Sequence, residues 1–66
     1  MKLTVNGKPV ELPDRSTVAA LVSQLGVEPA RVAIERNQDV VPRRTWAEAQ
    51  LTDGDQVEIV TFVGGG

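Results

Sequence analysis

The chain has 66 residues, a formal net charge of −2 and a 41% hydrophobic fraction, so we expect one small domain with a thin stability margin. It contains no cysteine and no histidine, which excludes disulfides, thiolate or imidazole metal ligands and a cysteine nucleophile. So short a chain rarely encloses a pocket for a catalytic carboxylate pair. We therefore do not expect the chain to be an enzyme.

The charge and hydropathy patterns do not favour binding to nucleic acid or to membranes. The basic residues are scattered apart from Arg43 and Arg44, and no basic stripe with interleaved aromatic residues is present. The apolar runs are too short to span a bilayer, and the N-terminus lacks the apolar segment of a signal peptide. We expect a soluble cytoplasmic protein that is monomeric in isolation.

The first predicted element is a β-hairpin. Residues 2–6 (KLTVN) and 8–12 (KPVEL) both alternate polar and apolar side chains. Asn6-Gly7 between them favours a tight type I′ turn, because both residue types tolerate positive φ. Pro9 has no N–H to donate, so the second strand is expected at an edge of the sheet.

A short amphipathic helix is predicted within residues 16–26 (STVAALVSQLG). Its apolar side chains recur at i, i+3, i+4 and i+7: Val18, Leu21, Val22 and Leu25. Either Ser16 or Thr17 is suited to cap the N-terminus. Gly26 is a C-terminal stop signal, and Pro29 prevents the helix from resuming.

The middle of the chain is predicted to contain strands. Residues 31–37 (RVAIERN) alternate, with Val32 and Ile34 on one face, and residues 39–42 (DVVP) are compatible with a short further strand. The stretch 43–50 is ambiguous. Its Thr45-x-x-Glu48 spacing resembles a capping box, but the segment is too short to predict a helix.

Residues 52–55 (TDGD) are a predicted turn, and residues 56–63 (QVEIVTFV) are the last predicted strand. On this strand Val57 and Ile59 share the face expected to meet the helix, because the charged Glu58 belongs outside the core. The opposite face carries Glu58 together with Val60 and Phe62. These two apolar residues either form an exposed patch or are shielded by a curved sheet.

The predicted order is a hairpin, a helix and then two or three strands. The pattern does not establish the strand order, but we infer that the last strand pairs parallel to the first. The right-handed crossover preference then places the helix across one face of a mixed sheet. The predicted fold is therefore α+β, a ubiquitin-like β-grasp with four to five strands and one main helix. We expect a domain over residues 1–63 and a flexible glycine tail over residues 64–66.

The tail, Gly64-Gly65-Gly66, carries no side chains and so can thread a narrow channel of a partner. The α-carboxylate of Gly66 is a poor electrophile until adenylation supplies AMP as a leaving group, after which a thiol or persulfide can attack it. The alternative is a flexible end or a linker remnant without chemical function.

Along its length the chain resembles the ThiS family, the bacterial sulfur carriers of thiamine biosynthesis. The resemblance rests on LTVNGKPVEL, TVAALVSQLG, ERNQDVVPRRTW, LTDGDQVEIVTFV and the terminal GG. Its most discriminating part is Asn37 followed by Val41-Pro42-Arg43 and Trp46. A Gly-Gly end on a β-grasp is shared with the small subunit of molybdopterin synthase and with ubiquitin. Those two proteins define the alternatives: a molybdopterin-synthase subunit, or a non-covalent ubiquitin-like interaction module.

The resemblance implies that an E1-like enzyme, using its own ATP and Mg²⁺, adenylates the Gly66 carboxylate. Sulfur from a cysteine desulfurase or another donor then yields a thiocarboxylate, which donates the sulfur to thiazole synthase. Gly66 would bear the sulfur, Gly65 would be its slender neighbour, and Gly64 would extend the arm. The chain would bind no cofactor or metal of its own.

Four residues beside the tail are predicted to bind the partner: Val60, Phe62, Val63 and Glu58. The acidic group Asp53, Asp55 and Glu58 either meets a basic groove on an enzyme or simply forms a soluble turn.

Trp46 is predicted to cover the edge of the core. For Arg43 and Arg44, solvated charges are the default interpretation, and contact with an acidic partner surface is the alternative.

Overall fold

A computed structural model of the chain describes residues 1–62. The predictions for Val63 and for Gly64, Gly65 and Gly66, and the predicted domain boundary after residue 63, lie outside the described residues.

The described chain forms one mixed sheet of five strands in the order β2-β1-β5-β3-β4, with β1 and β5 parallel and the other neighbours antiparallel. This confirms the predicted parallel pairing of the first and last strands. The strands are β1 (Lys2–Val5), β2 (Lys8–Glu11), β3 (Val32–Arg36), β4 (Asp39–Val40) and β5 (Gln56–Thr61). The helix α1 (Val18–Leu25) connects the hairpin to β3, and 3₁₀ turns cover Pro29–Arg31 and Arg43–Thr45.

Two tight turns with positive φ at both central residues join neighbouring strands. The predicted one has Asn6 at φ 50° and Gly7 at φ 80°. The second joins β3 to β4 with Asn37 at φ 50° and Gln38 at φ 73°. Asparagine tolerates this left-handed region better than other non-glycine residues, which favours its use here.

The boundaries of α1 follow the predicted caps. The hydroxyl of Thr17 accepts a hydrogen bond from the Ala20 N–H at 3.1 Å, whereas the hydroxyl of Ser16 donates to the Pro13 carbonyl. Gly26 ends the helix at φ 70°, in the left-handed conformation that favours glycine. The predicted stripe is buried except for Leu25, which lies in the last turn and is 38% exposed.

The ambiguous stretch 43–50 begins with a 3₁₀ turn rather than with a capping box. The Thr45 hydroxyl donates to the Pro42 carbonyl at 2.8 Å, so it is not the N-cap acceptor that the spacing suggested. The turn places Trp46 against the core, where its indole N–H donates to the Val41 carbonyl at 2.9 Å. The predicted packing role of Trp46 is confirmed.

The core lies between α1 and one face of the sheet. The neighbouring strands β3 and β5 each contribute a fully buried side chain, Ile34 and Val57, as the alternation predicted. The remaining buried hydrophobic residues are Leu3, Val5, Leu12, Val18, Leu21, Val22, Val32, Trp46 and Leu51. Within residues 1–62, no helix is long and apolar enough to cross a bilayer.

Candidate functional site

The outer face of β5 is exposed, whereas its inner face meets the core. Val57 is fully buried, but Val60 and Phe62 are each 51% exposed. The curvature of the sheet therefore does not shield these two residues, and of the two alternatives the exposed apolar patch is the one that the structure shows. The Phe62 N–H donates to the carbonyl of Arg31, the residue before β3, at 2.7 Å. The antiparallel pairing of β5 with the β3 segment therefore continues to the last described residue.

We use the term open face for the side of the sheet opposite α1. Across the β3–β5 ladder, Ala33 lies opposite Val60 and Glu35 lies opposite Glu58. Across the β3–β4 ladder, Val40 lies opposite Glu35 and is 67% exposed. Residues paired in this way point to the same side of a sheet. The open face therefore combines apolar side chains with two carboxylates, next to the point where the chain continues towards its C-terminus.

A shallow depression of about 200 Å³ lies at one edge of this face. Its lining includes Ala33 of β3, Val40 of β4, Pro42 and Phe62. The predicted patch of Val60 and Phe62 is thus wider than the sequence suggested, since it reaches β4. The alternation in residues 31–37 separates Ala33 and Glu35 from the core residues, but it does not reveal which residues of β5 lie opposite them.

The predicted acidic group is divided by the structure. Asp55 is buried and accepts hydrogen bonds from the Arg36 guanidinium at 2.7 Å, the Asn37 side chain at 3.0 Å and the Thr52 N–H at 2.8 Å. A carboxylate bonded in this way stabilises the fold. Of the two alternatives left open for the acidic group, contact with a basic enzyme groove is therefore wrong for Asp55.

The other two acids of this group differ from each other. Asp53 accepts a hydrogen bond from the Lys2 N–H at 2.6 Å, which ties the turn to the start of β1. Glu58 is exposed on the open face. It takes part in none of the side-chain hydrogen bonds or ion pairs found within residues 1–62. Of the three, only Glu58 takes part in no side-chain hydrogen bond or ion pair found within residues 1–62.

The environment of Asp55 changes its acidity. Burial raises the pKa of this carboxyl, but hydrogen bonds from Asn37, Thr52 and Arg36 and the positive charge of Arg36 lower it by more. The pKa of Asp55 therefore lies below its ordinary value of 3.8, and the group is ionised at neutral pH.

Arg43 is engaged within the domain. Its guanidinium donates to the Val32 carbonyl at 2.9 Å and lies 5.3 Å from the centre of the Trp46 ring. It therefore lies over the edge of the core, although the residue as a whole is exposed. Arg44 is exposed. Within residues 1–62, no group of three or more acidic side chains is arranged to hold a metal ion.

The fold and this face define a class of protein. A five-stranded mixed sheet whose first and last strands are parallel, with one helix across one face, is the ubiquitin-like β-grasp. The sequence profile of the ThiS family matches residues 3–66. The chain belongs to the ThiS family.

Two relatives match the chain over nearly its whole length and their own. The crystal structure of a thiamine biosynthesis protein (ThiS) from Geobacter metallireducens superposes with a TM-score of 0.86 at 39% identity, covering 100% of both chains. The protein named sulfur carrier protein ThiS from Bacillus subtilis is 38% identical over 65 residues, which cover 97% of this chain and 98% of that protein.

A further relative is much longer. A protein named thiazole synthase from Paramagnetospirillum magneticum is 46% identical to this chain over 66 residues, 100% of this chain. The chain spans only 20% of that relative's length. A segment similar to this domain is thus part of a longer polypeptide that bears the name of a synthase.

Proposed function

We propose that this protein is a sulfur carrier in thiamine biosynthesis and acts as a protein co-substrate rather than as an enzyme. The observation that carries the proposal is the similarity, over almost the full length of both chains, to a relative named sulfur carrier protein ThiS. The family profile, which extends to residue 66, includes the terminal glycines in the region of similarity.

The proposed chemistry takes place on the α-carboxylate of Gly66. An E1-like adenylating enzyme would couple this carboxylate to AMP from ATP with release of pyrophosphate, using Mg²⁺ bound in its own site. A persulfide derived from a cysteine desulfurase or another donor would then displace AMP. Reductive cleavage of the resulting S–S bond by a thiol would leave the thiocarboxylate.

The glycines before Gly66 would provide access. Gly65 and Gly64 lack a Cβ, so a narrow channel in a partner enzyme can enclose the backbone closely. The thiocarboxylate would then transfer its sulfur to thiazole synthase. One relative named thiazole synthase contains a segment similar to this chain within its longer sequence. That similarity supports thiazole synthase as the acceptor.

The open face would hold the domain on its partners while the tail reaches the reactive centre. Val60 and Phe62 are apolar and half-exposed, and they lie immediately before Val63 and the glycines. Apolar residues of this kind form the centre of many protein interfaces, with charged residues such as Glu58 at the rim. We therefore propose Val60, Phe62, Val63 and Glu58 as partner-binding residues.

The direct test is intact-mass measurement after incubation with the adenylating enzyme, ATP, Mg²⁺, a cysteine desulfurase, cysteine and a thiol reductant. We expect the mass to rise by one oxygen-to-sulfur exchange. A variant with one alanine added after Gly66 retains the whole domain but displaces the carboxylate, and it should not be converted. An unchanged mass with an enzyme set that converts a known carrier would refute the proposal.

Genetic complementation separates this function from its alternatives. Thiamine synthesis should be restored in a strain lacking its sulfur carrier by the full chain, but not by a chain ending at Gly64. Restoration of molybdenum-cofactor synthesis instead would identify a molybdopterin-synthase subunit. Restoration without Gly65 and Gly66 would favour a non-covalent interaction module.

A further inference from the structure

The strand β5 lies between β1 and β3, but these two neighbours do not cover it to the same extent. The pairing with β3 runs to Thr61, and the Phe62 N–H adds a hydrogen bond to the Arg31 carbonyl. The parallel pairing with β1 ends at Val57, because β1 is followed at once by the hairpin turn. Among the described strands, the part of β5 nearest the glycines is therefore paired on one side only.

The side chain of Asn6 takes over on the other side, where β1 has ended. Its Oδ1 atom accepts a hydrogen bond from the Ile59 N–H at 2.7 Å, and its Nδ2 atom donates to the Ile59 carbonyl at 3.3 Å. The backbone N–H of Asn6 also donates to the Val57 carbonyl at 2.9 Å. One residue thus bonds β5 at two successive positions, as a neighbouring parallel strand would.

The hairpin turn itself does not require asparagine at position 6. Asn6 has φ 50° and Gly7 has φ 80°, and tight turns of this type accept Gly-Gly and Asp-Gly as well as Asn-Gly. The bridge to Ile59 is more demanding, because its side chain must be short and must carry both a donor and an acceptor. Glycine has neither group, and an ionised aspartate has no donor. The bridge therefore accounts for the asparagine, whereas the turn alone does not.

A second asparagine provides an internal comparison. Asn37 has the same φ of 50° at the corresponding place in the turn between β3 and β4. Its side chain also reaches β5, where it accepts a hydrogen bond from the Gln56 N–H and donates to the Asp55 carboxylate, both at 3.0 Å. The two turn asparagines thus bond β5 at different places: Asn37 where the strand begins, and Asn6 where it approaches the glycines.

We propose that Asn6 is a positioning residue for the reaction at Gly66. By bonding both main-chain groups of Ile59, it fixes the course of β5 seven residues before the residue that bears the reacting carboxylate. This role rests on the proposed function, and it adds to that function a residue of the hairpin turn that contacts neither ATP nor the carboxylate.

The physical reason is the precision that adenylation demands. An oxygen of the Gly66 carboxylate attacks the α-phosphorus of ATP and pyrophosphate leaves, which requires the reacting atoms to lie about 3–3.5 Å apart and in line. Each backbone residue that the domain does not hold adds conformational freedom that must be lost first. A strand end that is bonded on both sides moves less than one bonded on one side, so the chain leaves the domain from a better-defined point.

The variant Asn6→Gly tests this role, because glycine suits the turn and only the side-chain bridge is removed. In steady-state adenylation of the full chain, followed by ATP–pyrophosphate exchange, its kcat should fall roughly fivefold or more while KM stays within about twofold of the wild type. Asn37→Gly, the matched change at the start of β5, should leave kcat within about twofold. All chains are compared at a temperature well below the lowest Tm of the three.

Each other kinetic outcome has a distinct meaning. A higher KM for Asn6→Gly with unchanged kcat would assign Asn6 to docking and overturn the positioning role. An equal fall in kcat for Asn37→Gly would attribute the effect to stability and overturn it as well. Wild-type kinetics in Asn6→Gly would overturn the role but leave the proposed function intact. No adenylation of the wild-type chain by a demonstrably active enzyme would overturn both.

Amide hydrogen exchange of the unbound full chain measures the bridge directly. The N–H groups of Ile59 and Thr61 both point to the β1 side, because residues at alternate positions, such as Val60, bond to β3. In the wild type the Ile59 amide should exchange about 10-fold or more slowly than the Thr61 amide. In Asn6→Gly this difference should disappear, while the Val60 amide keeps its rate within about twofold. Equal rates for Ile59 and Thr61 in the wild type, or an unchanged Ile59 rate in the variant, would overturn the positioning role.

Discussion

The residues at the two ends of β5 differ in burial and in the number of hydrogen bonds that their side chains make within the domain. At the start, Asp55 is buried and bonded to Arg36, Asn37 and Thr52. At the other end, Val60 and the following Phe62 are half-exposed. The stabilising side-chain contacts are thus concentrated where the strand begins, and apolar surface is left free where the chain continues towards the glycines.

A side-chain bridge marks the transition between the two ends. The Asn6 amide accepts a hydrogen bond from the Ile59 N–H at 2.7 Å and donates to the Ile59 carbonyl at 3.3 Å. It thereby extends the parallel β1–β5 pairing beyond the last residue of β1. The polypeptide of β5 is thus held along its length, although its outer side chains are free to bind another protein.

The largest expected effect is at the start of the strand. Asp55→Ala should lower the free energy of unfolding by about 2–4 kcal/mol, because it leaves a partly buried arginine and an asparagine without their acceptor. The measurement is equilibrium unfolding in urea. Asp39→Ala removes an equally charged but exposed side chain, and it should change the free energy by less than about 0.5 kcal/mol. Equal effects of the two changes would contradict the proposed difference between the ends.

A matched pair of valines provides the next comparison. Val57→Ala removes buried methyl groups and should cost about 2 kcal/mol of unfolding free energy. Val60→Ala, on the other face of the same strand, should cost less than about 0.5 kcal/mol.

The relative size of the two effects should reverse when affinity for the partner is measured instead of stability. Val60→Ala should weaken binding to the adenylating enzyme, while Val57→Ala should leave the affinity of the folded fraction unchanged. Calorimetric titration under conditions where both variants are folded would test this. A larger loss of affinity for Val57→Ala would contradict the assignment of the open face.

The smallest effect is a dependence on pH. Because the pKa of Asp55 is lowered in the folded state, its contribution to stability is fully present above the unfolded pKa, near 3.8, and is lost as pH falls through the folded pKa. Unfolding free energies measured from neutral pH to about pH 2 should therefore decline less for Asp55→Asn than for the wild type. Parallel pH profiles would show that Asp55 does not contribute to acid sensitivity.

The elements predicted best from sequence are those that local interactions define. Asn6-Gly7 specifies a tight turn through its tolerance of positive φ, and Thr17 with Gly26 defines the two ends of α1. The alternation in β5 separated Val57 from Val60 and Phe62, and therefore predicted most of the candidate site. Each signal depends on residues close together in the chain, so it can be recognised without knowledge of the fold.

The tertiary structure alone decided which distant residues became neighbours. Strand order placed Glu35 opposite Glu58 and brought Val40 to the same face. It also buried Asp55, an acid in a turn that looked soluble, because β3 supplied Arg36 and the turn after it supplied Asn37. The sequence determined the main strands, the helix and the faces of these elements. Pairing between strands distant in sequence depends on closing long loops around a shared core. The ion pair of Asp55 with Arg36 and the full extent of the open face therefore arise only in the folded domain.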